Sequence, residues 1–199
     1  MKLLFIVPHC DDEISSIGVI SKAMERGYDA YFVVFSFTDI KNVTEPEFDE
    51  CMKILGVPDE NVFKFNYPTR HFPQYRQAIL EELVRINEKI RPELVFVPNS
   101  RDTHQDHHTL HEEGLRAFGK QSILGFESPK HLILDDKIML VKLDDKLFKK
   151  KMDCMACYKS QAPRWGTDYW LNREPLARVR GMQAGCKYAE GFEMIKIII

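Results

Sequence analysis

The 199-residue chain reads as an α/β protein, three-layered and Rossmann-like with a mostly parallel sheet over about residues 1–126, followed by a β-containing extension over about 127–199. Two observations lead there: short β-rich apolar runs alternate with longer stretches of helical spacing, as in βαβ units, and the polar, potentially reactive residues follow directly on two of those apolar runs. No linker-like tract and no internal repeat divides the chain, so residues 1–199 are expected to form one domain. At this length roughly 70% of the unfolded surface can be buried, enough for a core without covalent staples.

Residues 3–7 form a continuous apolar run, the pattern of a buried strand, and Ile14, Ile17, Ile20 and Met24 then share one helical face that ends at Gly27. Residues 30–37 give a second strand. Pro46 opens a short helix carrying Phe48, Met52 and Leu55, closed by Gly56, and residues 62–65 give a third strand. Residues 75–89 place Ile79, Leu83, Ile86 and Ile90 on one stripe before a fourth strand at 94–97. A helix over about 106–118 carries Leu110, Gly114, Leu115 and Phe118. Beyond 120 come strand-like segments at 123–126, 131–134 and 137–143, with Asp135-Asp136 as a hairpin turn. A charged helix (146–158), an aromatic-rich loop (164–170), a helix near 175–183 and a last strand at 194–199 complete the chain.

Lys and Arg number 28 against 30 Asp and Glu, a net charge of −2 with no long block of one sign, which argues against a nucleic-acid-binding surface. Five cysteines, an odd and scattered set, do not form the framework of a small secreted domain, so a reducing compartment is expected. Neither a signal peptide nor an apolar run long enough to cross a membrane is read, and the expected location is cytoplasmic, without membrane insertion.

The chemistry is concentrated at two strand ends. Pro8-His9-Cys10-Asp11-Asp12-Glu13 follows the first strand, and Asn99-Ser100-Arg101-Asp102-Thr103-His104-Gln105-Asp106-His107-His108 follows the fourth. If the strand order is 3-2-1-4-5, these loops face each other across the point where the order reverses, where such sheets bind ligands. The first loop lacks a glycine fingerprint, which removes the main support for a dinucleotide site. His9, Asp12 and His107 instead make a two-histidine, one-carboxylate set that fills three positions of a divalent ion and leaves one open for water. Asp11, whose side chain diverges from that of Asp12, would be the general base toward that water. His104 would stabilise an oxyanion, and Asp106 would fix an imidazole from behind. Beside this stands a plainer reading: acidic residues at a helix start complement its dipole, and a histidine-rich loop can be a solvated surface.

These residues resemble the PIG-L/LmbE-type de-N-acetylases. Members of that family carry Ala-His-Pro-Asp-Asp-Glu after a first strand and a later His-x-Asp-His, which stand here as Pro8 to Glu13 and as His104-Gln105-Asp106-His107. Lys159-Ser160-Gln161 is similar to the family's Ser-Gln segment, and Arg180-Gly181 through Tyr188-Ala189-Glu190-Gly191-Phe192 to its closing motif. The resemblance implies an LmbE-like fold, a zinc-dependent amidohydrolase, and removal of the N-acetyl group from a small-molecule N-acetylglucosamine-type conjugate. It further implies that His9, Asp12 and His107 bind Zn2+ (Fe2+ or another divalent ion being the alternatives), that Asp11 is the base, that His104 assists the tetrahedral intermediate, and that the chain assembles as a homo-oligomer. A non-haem Fe(II) oxygenase and a catalytically lapsed binding module are the rival readings.

Two departures stand out. Cys10 replaces the family's proline, read as a small buried filler, and His108 adds an imidazole beside His107, although the His-x-x-His spacing favours His107. Arg70 and His71 follow the third strand at the same sheet end, where Arg70 would hold a substrate hydroxyl or phosphate; an ordinary surface arginine fits as well. Residues 164–170 fit a sugar-stacking wall or a subunit contact equally. Cys154 and Cys157 read as half-buried helix thiols, and Lys149-Lys150-Lys151 as a solvated helix face.

Overall fold

The computed structural model describes residues 1–37, 40–129, 138–161 and 173–198. Its strands are β1 (Lys2–His9), β2 (Asp29–Ser36), β3 (Val62–Lys64), β4 (Leu94–Pro98), β5 (Ser122–Phe126), β6 (Ile138–Leu143) and β7 (Tyr188–Lys196). Its α-helices are α1 (Ile17–Glu25), α2 (Lys41–Leu55), α3 (Arg76–Ile90), α4 (Gln105–Ala117), α5 (Asp145–Met155) and α6 (Arg173–Gln183). The sheet order is β3-β2-β1-β4-β5-β7-β6. The first five strands run parallel and β7 runs antiparallel to both β5 and β6. β1 and β4 are therefore neighbours at the reversal, as the sequence leads one to expect.

Strand alternation sorts β1 onto two cores. Leu3, Phe5 and Val7 pack with α1, α2 and α5, while Leu4 and Ile6 pack with α3 and α4. Phe5 stacks between Phe32 and Phe96, with centroids 5.1 and 4.4 Å away. Gly114 lets α4 lie close on β4, because a Cβ there would sit 2.8 Å from Val97 Cγ1. That approach carries the start of α4, with its histidines, to the end of β1.

Several boundaries differ from expectation. α2 begins at Lys41, and Pro46 lies inside it, because the Val43 and Thr44 amides already bond to the Ile40 carbonyl one turn earlier. Pro46 then forgoes a single helical hydrogen bond. The last strand begins at Tyr188, not 194, because Tyr188 to Glu193 pair with β6. Glu190 reads as polar yet is buried: its carboxylate accepts from the Gly18 and Val19 amides at 2.9 and 3.0 Å and pairs with Lys151 Nζ at 2.7 Å. Lys151 is thus buried and paired, not part of a solvated face, whereas Lys149 is exposed on Asp153. Cys154 and Cys157 are buried rather than half-buried, since the end of α5 and the turn that follows it pack into the core beneath β1. The strand and turn expected at 131–136 and the aromatic loop at 164–170 lie outside the described residues.

Candidate functional site

β1 delivers His9 at its end, and the chain then turns sharply. Asp11 has φ 120° and ψ −13°, a backbone region that L-residues avoid, and a single 3-10 turn, Asp12–Ser16, leads into α1. Holding a non-glycine residue there costs about 1–3 kcal/mol and requires support from its surroundings. On the other side, the loop after β4 combines local bonds with an anchor on β7, the Ser100 amide and hydroxyl donating to the Glu193 carboxylate at 2.8 and 2.6 Å. The Asp102 amide donates to the Asn99 carbonyl (3.1 Å), the Arg101 amide to Asn99 Oδ1 (2.8 Å), and the His104 amide to Asp102 Oδ1 (2.8 Å). His104 then caps α4, its Nδ1 accepting from the Asp106 amide at 3.2 Å.

Three donor atoms meet between the loops. His9 Nδ1 lies 3.3 Å from Asp12 Oδ2, His107 Nε2 lies 3.2 Å from the same oxygen, and the two ring nitrogens are 3.2 Å apart. Ligands about 2.0–2.1 Å from a tetrahedral ion are about 3.3 Å from one another, so the triangle has the edge lengths of three such ligands. The far ring atoms decide the tautomers. His9 Nε2 donates to Asp106 Oδ2 at 2.9 Å and His107 Nδ1 donates to Asp102 Oδ2 at 2.7 Å. A carboxylate only accepts, so each outer nitrogen carries a proton, and the inner nitrogens facing Asp12 are the ones that can offer a lone pair to a bound cation. Three electron-rich atoms facing one point call for positive charge between them, and this donor set fits a divalent cation.

The electrostatics agree. Burial disfavours a charged His107, but Asp12 and Asp102 outweigh it and raise its pKa to about 10, so at neutral pH the ring carries the positive charge as a proton that a cation binding at Nε2 would displace. Burial likewise opposes a charged Asp12, yet His107 and His9 hold it well below the usual carboxylate range. His104 stands closer to solvent, its ring 5.0 Å from that of His9 and 4.7 Å from that of His107. Burial, with the neighbouring imidazoles, lowers it to about 4, so at neutral pH it is uncharged. With Nδ1 accepting from the Asp106 amide, its proton lies on Nε2. A wider set of His9, His104 and His107 has donor atoms within 4.8 Å of one another, but the triangle with Asp12 is tighter and matches ligand geometry.

The remaining expected residues are placed as follows. Asp106 is fully buried and accepts, besides His9, the Arg70 amide at 2.6 Å and the Phe72 amide at 3.1 Å. Arg70, at φ 69°, therefore reaches the site through its backbone, while its side chain is exposed. His108 points outward to Glu112 at 3.3 Å. Cys10 is buried in the core beside β1, and burial raises its thiol pKa, keeping it neutral.

The family model for PIG-L, GlcNAc-PI de-N-acetylase, matches residues 4–118, which span both loops. The chain belongs to this family. Among solved structures, N,N'-diacetylchitobiose deacetylase from Pyrococcus horikoshii is similar over 96% of this chain and 82% of its own, at 22% identity and a TM-score of 0.79. The zinc-inhibited form of the teicoplanin deacetylase Orf2 is similar over 96% and 97%, at 14% identity and 0.77. GalB, the 4-carboxy-2-hydroxymuconate hydratase from Pseudomonas putida KT2440, is similar over 100% and 97%, at 20% identity and 0.73. These likenesses establish an LmbE-like α/β fold; a hydratase among them means that the site, not the fold, must identify the reaction.

Three residues of this PIG-L-family site escape sequence reasoning. Asp102 stands in the loop already singled out, where a carboxylate five positions before His107 is the available signal. Glu13 was read within the family motif and the acidic helix start but given no role of its own; it is 1% exposed and accepts the Asp11 amide on Oε2 at 3.0 Å. Tyr158, which donates its hydroxyl to Glu13 Oε1, has no local signal, being 145 positions away. No described helix is long and apolar enough to cross a membrane.

Proposed function

We propose that this chain hydrolyses the N-acetyl group of a small N-acetylglucosamine-type sugar conjugate, using a divalent ion, zinc or another of similar preference, held by His9 Nδ1, Asp12 Oδ2 and His107 Nε2. The observation that carries the proposal is the donor triangle, with a carboxylate behind each imidazole. A bound ion would supply Lewis-acid polarisation of the acetamide carbonyl and a lower pKa for water. Asp11 takes a proton from the attacking water as its oxygen bonds to the acyl carbon. His104, neutral with its proton on Nε2, donates a hydrogen bond to the oxygen that becomes negative. When the C–N bond breaks, the proton held by Asp11 passes to the departing nitrogen, giving a free amine and acetate. Arg70, on the rim, is assigned to substrate hydroxyls or phosphate.

The substrate class is supported by the family's name and by the diacetylchitobiose deacetylase among the structural relatives. The test is incubation of metal-loaded protein with a panel of N-acetylglucosaminides, scored for acetate and free amine in equal amounts. Hydration of an unsaturated acid without amide cleavage would overturn the reading, as would a requirement for oxygen.

A further inference from the structure

We infer that Glu13, clamped by Tyr158, is a positioning residue that holds the backbone of Asp11 in its left-handed conformation. The inference rests on the reading of Asp11 as the general base. Asp11 leaves β1 at φ 120°, and its amide turns to Glu13 Oε2 at 3.0 Å. The other carboxylate oxygen, Oε1, accepts the Tyr158 hydroxyl and faces Cys51 Sγ at 3.6 Å.

The geometry is not that of an acidic residue placed merely to complement a helix dipole. Such residues lie in solvent at a helix start, whereas Glu13 is 1% exposed and Tyr158 fully buried, and both carboxylate oxygens are engaged by named donors. A carboxylate fixed from below by a phenol and a thiol presents its second oxygen at a set place, and the Asp11 amide has to point there. The reversal at residue 11 separates the side chain of Asp11, which is partly exposed, from that of Asp12, which is buried in the donor triangle. Adjacent carboxylates could then serve different tasks. Tyr158 follows α5 and Cys51 lies in α2, so the base is held by parts of the chain outside both catalytic loops.

The test uses Glu13→Ala and Tyr158→Phe, each also combined with Asp11→Ala, in metal-loaded protein. A misplaced catalytic group commonly costs about 10²-fold in rate. Glu13→Ala should lower kcat by about that factor and Tyr158→Phe by about tenfold, with KM and bound metal unchanged. In the Asp11→Ala background neither should lower kcat further. An unchanged kcat in both single variants, or the same loss with and without Asp11, overturns the inference. A crystal structure of either single variant reads it without turnover: a residue 11 that leaves positive φ supports the clamp, and an unchanged φ overturns it. Failure of the wild-type protein to release acetate would count against the proposed function alone.

Discussion

The two loops that meet at the site differ in how far they depend on the rest of the molecule. The loop after β4 is built mostly from its own bonds, with Asn99, Asp102 and His104 accepting from amides within a few positions and α4 following with His104 as its cap, and it is anchored at one residue, Ser100, whose amide and hydroxyl donate to Glu193 of β7. The loop after β1 leans on the rest of the molecule, since Asp11 depends on Glu13, and Glu13 on Tyr158 and Cys51, while α1 behind it is capped by Glu190 from β7. Bonds within a loop let short-range sequence set much of its shape. A strained turn that carries a base needs long-range support, and here the C-terminal half supplies it.

The comparison can be broken most severely at the donor triangle, which both loops share. His107→Ala should abolish metal binding and reduce deacetylation to background, as should chelation of the wild-type protein; metal analysis beside an acetate assay checks both. Asp11→Asn comes next. It should lower kcat by about 10³-fold, within the usual range for a general base, with metal content unchanged, which separates the base from its neighbour Asp12.

A third variant attacks the remote support. Glu190→Ala removes the cap of α1 and leaves Lys151 buried without its partner, so denaturant unfolding should show a loss of about 3–5 kcal/mol. Asp102→Asn, in the loop after β4, should weaken metal affinity by about 10–100-fold, measured by competition with a chelating dye, and leave overall stability less affected than Glu190→Ala does. Lys149→Ala, two residues from Lys151, should change stability by less than about 0.5 kcal/mol, because its pair with Asp153 is solvent-exposed.

The same division explains what could be read in advance. Strand order and the placement of His9, Asp12, His104, Asp106 and His107 followed from apolar runs and from loops adjoining them, because parallel sheets gather reactive groups at strand ends. The Arg70 amide, which donates to Asp106, was not foreseen, because a side-chain motif carries no record of backbone direction. Lys151 looked like a solvent-facing charge, since its burial depends on meeting Glu190 of β7 from α5. Glu13 and Tyr158 were hidden for the same reason. Hydrophobic periodicity shows which face is apolar, not which buried polar groups find partners far along the chain.

The most direct test of the central claim is an anomalous difference map from crystals of the zinc-loaded protein. The expected result is one ion per chain, about 2.0–2.2 Å from His9 Nδ1, Asp12 Oδ2 and His107 Nε2. An ion bound elsewhere, or one held by His104 in place of Asp12, would contradict it.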